Sequence, residues 1–154
     1  MRDVVIVDSV RTGLTKAFRG SFNLTRSDDL LAHCIDSLLD RNPQLGPDEV
    51  EDVYVGAASH AGEQDGNLAR LAVVLSKLPI TAAGVTINRF CSSGLQSIAL
   101  AANQIASGQT EVAIAGGVDS ISMRTRQEPG KAKQNQRLLE KYVKDNLEHD
   151  QTTA

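Results

Sequence analysis

Cys91 is the residue of this sequence best placed for nucleophilic chemistry, because it lies between a predicted strand and a predicted helix. A thiol at such a junction meets the unpaired N–H groups and the positive dipole end of the helix, which favour a thiolate. Ser92, Ser93 and Gly94 keep the neighbouring side chains small. A substrate carbonyl therefore has room to approach, and the Cys91 N–H can act as an oxyanion donor. The alternative is a buried structural cysteine.

The second cysteine and the three histidines are weaker candidates. Cys34 lies on the apolar stripe of a predicted helix, which favours a structural role. His60 follows a predicted strand at the sheet edge where parallel sheets bind ligands, so it is the histidine best placed to serve as a base. His33 lies in the same helix as Cys34, and His149 lies in a charged tail. Packing or solvation is the simpler explanation for all three histidines, and the sequence assigns no general base.

Alternating strands and helices would position Cys91. Runs of β-branched and apolar residues predict strands, and apolar residues at helical spacing predict helices between them. The predicted strands cover residues 4–7, 50–56, 84–90 and 112–115, and the predicted helices cover residues 27–42, 68–78 and 92–107. This alternation is typical of right-handed crossovers. We predict an α/β fold with a mixed, mostly parallel sheet covered by helices on both faces.

Local signals set the ends of these elements. Ser27 and Asn67 are expected to cap the first and second helices. Pro79 ends the second helix, and Gly108 closes the third. The pair Gly116-Gly117 is expected to break the fourth strand.

The charge balance and the hydrophobic pattern of the sequence change near residue 123. Residues 1–123 carry nine basic and 14 acidic groups, whereas residues 124–154 carry seven and five. The second segment begins with a polar stretch and then shows one amphipathic helix, with apolar positions at Leu138, Leu139, Tyr142, Val143 and Leu147. We therefore predict an α/β domain over residues 1–123 and a separate helical segment over residues 124–154, whose apolar stripe needs a partner surface.

Composition excludes several classes of protein. A length of 154 residues with 41% apolar content suits one folded domain. The net charge of −3 and the 3% aromatic content argue against a nucleic-acid binder. Two cysteines are too few for a disulfide framework or a four-ligand zinc site, and we predict no metal. The sequence lacks a secretory signal and an apolar run long enough to span a bilayer, so a cytoplasmic protein is expected.

Several motifs closely resemble the thiolase family. Residues 88–97 read Asn-Arg-Phe-Cys-Ser-Ser-Gly-Leu-Gln-Ser, and residues 115–123 read Ala-Gly-Gly-Val-Asp-Ser-Ile-Ser-Met. Residues 4–12, ending in Asp-Ser-Val-Arg-Thr, and residues 66–70, Gly-Asn-Leu-Ala-Arg, follow the family's order. The resemblance covers residues 3–123. Ketoacyl synthases fit less well, because their cysteine usually follows Asp-x-Ala and precedes three serines.

The resemblance implies a three-layer thiolase-like half-domain that takes part in acyl transfer between coenzyme A (CoA) thioesters, within fatty acid metabolism. Cys91 would carry the acyl group as a thioester. Acyl-CoA or 3-ketoacyl-CoA would be the substrate, and no cofactor would be bound permanently. The basic group Lys131, Lys133 and Arg137 could meet a CoA phosphate by analogy with the family's loop domain, although a solvated helix face is the simpler interpretation. Acyl chain length and reaction direction stay open.

The sequence also departs from the family. Thiolases are more than twice as long, and their second half supplies Gly-His-Pro and Cys-Gly-Gly motifs that are absent here. The resemblance therefore implies an N-terminal half with a curtailed loop region, inactive alone. Its partner would be a second copy in a homo-oligomer or a chain that supplies the missing half, drawn to apolar surface around residues 92–107. The alternative function is a catalytically silent binding or assembly module of the same fold.

Overall fold

A computed structural model describes residues 2–124 and 134–151 of the chain. Helices and strands alternate through these ranges, with short 3₁₀ turns at Pro47–Glu49 and Gly62–Gln64. The elements are α1 (Ser27–Arg41), β1 (Asp52–Gly56), α2 (Leu68–Leu75), β2 (Ala83–Ile87), α3 (Ser93–Ser107), β3 (Ala113–Gly117), α4 (Ile121–Arg124) and α5 (Gln136–Gln151). Among the described residues, no helix is both long and apolar enough to cross a membrane.

The three strands form a parallel sheet in the order β2-β1-β3. In the central strand, Tyr54 is in register with Val85 of β2 and Ala115 of β3. The connection from β1 to β2 runs through α2, and the connection from β2 to β3 runs back through α3. Right-handed crossovers in opposite directions place these helices on opposite faces of the sheet. The predicted α/β fold, with helices on both faces of the sheet, is confirmed.

The main core lies between the sheet and the α1–α2 pair. Alternate residues of β1, Val53 and Val55, point into it and are 1% exposed. They pack with apolar residues from both helices, namely Leu31, Ile35, Leu39, Leu68, Ala69, Ala72 and Val73. Apolar residues alternate along β1 and recur at helical spacing along α1 and α2, so each element has one apolar face. These three faces pack together in a single apolar layer.

The opposite face is only partly covered. α3 contacts β1 and β3, but its residues Leu95 and Ile98 are 73% and 40% exposed. Beside α3, an open depression of about 520 Å³ is lined by Asp52, Tyr54, Val85, Leu100, Asn103 and Gln104. This face therefore presents apolar surface that the described part of the chain leaves in solvent.

The strand expected at residues 4–7 is not formed. Val5, Ile6 and Val7 are each at least 75% exposed, and residues 2–16 have no regular secondary structure. β-Branched residues favour an extended backbone, but a strand needs a neighbouring strand to accept its hydrogen bonds. The segment is instead attached by polar contacts: Arg41 and Asn42 donate to the carboxylate of Asp8 at 2.8 and 3.0 Å.

Several predicted element ends are also wrong. α2 ends at Leu75, four residues before Pro79, and β2 ends at Ile87 rather than at residue 90. Gly116 and Gly117 belong to β3 rather than breaking it. Ser27 is the first residue of α1 rather than its N-cap, which is Arg26. The caps expected at Asn67 and Gly108 are confirmed, since the Asn67 side chain accepts from Arg70 N, and Gly108 is left-handed with φ 77°.

Gly56, the last residue of β1, allows α3 to approach the sheet. A Cβ built on Gly56 would lie 2.2 Å from the carbonyl carbon of Ser93 and 2.5 Å from Gly94 N. A Cβ on Gly117 would lie 2.7 Å from Gly56 O and 3.3 Å from Gly94 Cα. Only glycine at these two positions lets the first turn of α3 rest on the strand ends.

Substitution of Gly56 should therefore weaken the fold through a backbone clash. We expect Gly56→Ala to lower the free energy of unfolding by about 3 kcal/mol, the upper end of usual overpacking costs. Gly116→Ala is the matched control, because Gly116 lies opposite Val55 in the adjacent strand and its Cβ would meet nothing within 4 Å. Urea unfolding of both variants tests this expectation, and equal stabilities would contradict the close approach.

Candidate functional site

Cys91 lies in the short connection between β2 and α3, and it is exposed. Its position between strand and helix is the one the sequence predicted, and the buried-cysteine alternative is not what the structure shows. Cys34 is half-buried in α1. Burial raises the pKa of the Cys34 thiol, opposed by a backbone hydrogen bond with Thr12. The two cysteines therefore differ in solvent exposure, and Cys91 is the more accessible thiol.

The turn that carries Cys91 has a strained residue at Phe90. Phe90 has φ 50°, in the left-handed region that residues other than glycine rarely adopt. The Ser93 hydroxyl accepts a hydrogen bond from Arg89 N at 2.8 Å and donates to Phe90 O at 2.6 Å. Two backbone hydrogen bonds, from Ser92 N to Arg89 O and from Ser93 N to Phe90 O, close the turn at 3.1 and 3.0 Å. The backbone on both sides of Cys91 is thus fixed.

A second buried hydroxyl fastens α3 to β3. Ser97 is fully buried, and its Oγ lies 2.7 Å from the carbonyl oxygens of both Gly94 and Gly116. At its N-terminal end, the helix therefore contacts the sheet through small residues and one hydroxyl. These contacts fix the distance between the start of α3 and the carboxyl ends of the strands. Parallel sheets bind their ligands at this edge.

Asp119, which follows β3, organises the loop after β1. Its carboxylate accepts hydrogen bonds from Ala58 N at 2.9 Å and Ser59 N at 3.1 Å. Gln64 is completely buried and donates to Ser59 O at 2.7 Å and to Asp119 at 3.2 Å. Sequence reasoning did not single out either residue. The motif around residues 115–123 contained the signal, because a carboxylate after a strand can bind neighbouring backbone N–H groups.

Glu63 is a buried carboxyl group that sequence reasoning also missed. Its Oε1 accepts from Ser27 N at 3.0 Å and from Ser27 Oγ at 2.8 Å, so it satisfies the first turn of α1. Its Oε2 is buried and has no hydrogen-bond partner. Burial raises the pKa of Glu63 above its usual 4.5, and the hydrogen bonds from Ser27 and the charge of Arg26 only partly oppose this.

Neither His33 nor His60 is hydrogen-bonded to Cys91 in the part of the chain that the structure describes. His33 is exposed on α1, and His60 is exposed in the loop after β1. The side chain of His149 lies outside the described residues, as do Lys131 and Lys133. Arg137 forms an ion pair with Asp29 at 2.6 Å, so this arginine is used to attach α5 near α1. Within the described ranges, no cluster of His, Cys, Asp or Glu could hold a metal ion.

The family model and the similar proteins that match this chain belong to the same family. Residues 4–154 match the family model described as "Thiolase, N-terminal domain". The "Beta-ketoadipyl-CoA thiolase" of Pseudomonas knackmussii is 46% identical over 121 residues, which are 79% of this chain and 30% of that protein. The "3-ketoacyl-CoA thiolase" of Vibrio vulnificus is 43% identical over 121 residues, covering 79% of this chain and 31% of that protein. The aligned region is thus less than a third of each of these relatives.

The raised pKa of Glu63 predicts a specific pH dependence of stability. Because the folded state holds this proton more tightly than the unfolded state, the favourable contribution is complete below about pH 4.5 and is lost as pH rises through the higher folded pKa. Glu63→Gln removes this proton equilibrium. We expect urea unfolding across about pH 5 to 8 to show a shallower decline for Glu63→Gln than for the unmodified protein.

The control for this experiment is Glu140→Gln, at an exposed position of α5. It should keep the pH profile of the unmodified protein. Parallel profiles for Glu63→Gln and the unmodified protein would contradict the assignment of a proton to the buried carboxyl group.

Proposed function

The chain belongs to the thiolase family through its N-terminal domain, and from this premise we propose that Cys91 is the nucleophile of acyl transfer between CoA thioesters. The observation that carries the proposal is the exposed thiol on a hydrogen-bonded turn at the start of α3. Family membership supports acyltransferase chemistry, and the turn supports the assignment to this residue. Cys34, with a thiol pKa raised by burial, is not suited to the same role.

The proposed reaction proceeds in two steps. The Cys91 thiolate attacks the ketone carbon of a 3-ketoacyl-CoA, and the bond between C2 and C3 then breaks. The electron pair of that bond goes to C2, which takes a proton and leaves as acetyl-CoA. The acyl group remains on Cys91 as a thioester. The thiol of free CoA then attacks this thioester, forming a shortened acyl-CoA and returning the Cys91 thiol. The reverse sequence joins two acyl-CoA units.

Backbone geometry supports one specific role in the first step. The N–H groups of Ser92 and Ser93 donate within the turn. We therefore assign the N–H of Cys91 as the donor that this chain offers to the oxyanion formed during attack. A general acid or base is not assigned to this chain, because neither described histidine is hydrogen-bonded to Cys91.

A 3-ketoacyl-CoA is the proposed substrate class. The names of both relatives contain a β-keto or 3-keto acyl group joined to CoA. This group presents the electrophilic carbonyl that the proposed first step needs. The reactive thiol needs a reducing environment to stay free, which supports a cytoplasmic location.

The remaining parts of the site are proposed to come from a further domain or a partner chain. The chain spans 30–31% of the length of these relatives, so the complete activity is a property of more than these residues. Exposed apolar residues support this view, since Leu95 on α3 and Val5, Ile6 and Val7 near the start are all more than 70% exposed. A homo-oligomer is one arrangement that covers them.

Trapping the acyl-enzyme tests the proposal. The purified protein is incubated with acetyl-CoA or acetoacetyl-CoA and then measured by intact mass spectrometry. We expect one thioester-bound acetyl group, which is lost in Cys91→Ser and kept in Cys34→Ser. Cys34→Ser is the matched control because it removes the other thiol of the chain.

Turnover distinguishes the proposal from a silent binding module. Supplying a chain that contains the Gly-His-Pro and Cys-Gly-Gly motifs should give CoA-dependent turnover that needs Cys91. A labelled Cys91→Ser variant, or no labelling and no turnover even with that chain present, would favour the binding module.

A further inference from the structure

We propose that Asn88 is a positioning residue for Cys91: its side chain holds Phe90 in the left-handed conformation and so sets the direction of the thiol. This inference rests on the proposed function, since it assigns a residue to the site of Cys91. Asn88 follows β2 directly and lies three residues before the nucleophile. It does not touch the reacting atoms in this proposal, and it acts through the backbone of Phe90.

The backbone of Phe90 is strained, so other contacts must stabilise its conformation. It has φ 50°, which costs free energy for any residue with a Cβ. Phe90 is 77% exposed, so packing of its side chain does not hold this conformation. The stabilising contacts must therefore come from the backbone groups of Phe90 and from the residues that bind them.

Asn88 and Ser93 bind both backbone groups of Phe90. Asn88 Oδ1 accepts from Phe90 N at 2.9 Å. On the other side, Phe90 O accepts from Ser93 Oγ at 2.6 Å and from Ser93 N at 3.0 Å. The peptide planes before and after Phe90 are thus held from opposite directions. Release of the Asn88 contact would let φ return to the negative range and rotate Cys91 relative to α3.

The Asn88 side chain is itself attached to a fixed loop. Its Nδ2 donates to Ala58 O at 3.3 Å, and Ala58 N donates to Asp119 at 2.9 Å. The same carboxylate binds Ser59 N and the buried Gln64 amide. A continuous series of hydrogen bonds therefore runs from Asp119 through the loop after β1 to Asn88 and Phe90. This arrangement orients the amide so that its oxygen faces Phe90 N.

Substitutions of Asn88 and Phe90 test the inference together. Asn88→Ala should slow acylation of Cys91 by acetoacetyl-CoA about 10- to 100-fold, because small displacements of a reacting group cost this much. Alkylation of Cys91 by iodoacetamide should change about three-fold or less, because a small reagent reaches an exposed thiol from many directions. Asn88→Asp keeps the acceptor oxygen and should recover part of the lost rate.

The double variant separates positioning from a general structural role. In Asn88→Ala/Phe90→Gly, acylation should fall about three-fold or less relative to Phe90→Gly alone, because glycine adopts positive φ without steric cost. A loss that is the same in both backgrounds would overturn the inference, as would unchanged acylation in Asn88→Ala. Thermal unfolding of each variant verifies that the comparison is made between folded proteins.

A second measurement is independent of acyl transfer. The one-bond Cα–Hα coupling of Phe90 in an NMR experiment reports the sign of φ. We expect a positive φ in the unmodified protein and a negative φ in Asn88→Ala. A positive φ in both would overturn the inference. If the unmodified protein is not acylated at Cys91 even with the chain that carries the Gly-His-Pro and Cys-Gly-Gly motifs present, the proposed function fails, whereas this NMR comparison still decides whether Asn88 holds the turn.

Discussion

The close approach of α3 to the strand ends is the constraint on which the site depends. Ser93 and Gly94 rest directly on the backbone of Gly56, at a separation where no Cβ would fit. This contact determines how far the first turn of the helix lies above the sheet, and therefore where Cys91 stands. Gly117 and the buried Ser97 hydroxyl extend the same contact along β3. Small residues are thus needed for geometry, and apolar packing on the opposite face supplies most of the core.

Hydrogen bonds provide a second set of constraints at the carboxyl ends of the strands. Asp119 after β3 binds the loop after β1, and that loop contacts Asn88 after β2. All three strands therefore contribute to one polar cluster beside the turn of Cys91. Buried side chains such as Gln64 are fully used within it, whereas Glu63 keeps one unpaired oxygen. A satisfied network of this kind restricts the loops to one arrangement.

Local patterns predicted most of the elements that position Cys91. Apolar spacing indicated α1, α2 and α3, and both Asn67 and Gly108 act as the caps that their residue types suggest. Long-range effects were not predictable in the same way. The run at residues 4–7 has strand propensity, but pairing depends on a neighbour that propensity does not specify. Glu63 accepts a hydrogen bond from the Ser27 N–H at the start of α1, 36 residues away. Gly117 stays in β3 because α3 and β1 lie so close to it.

We propose that one thiol, the exposed Cys91, carries the acyl group in acyl transfer. A crystal structure of the protein frozen after reaction with acetoacetyl-CoA tests this claim most directly. We expect continuous density from Cys91 Sγ to an acetyl carbon, with the acetyl oxygen facing the Cys91 N–H and Phe90 at positive φ. An unmodified Cys91 in crystals of protein whose solution mass shows acylation, or an acetyl group bound to Cys34, would contradict it.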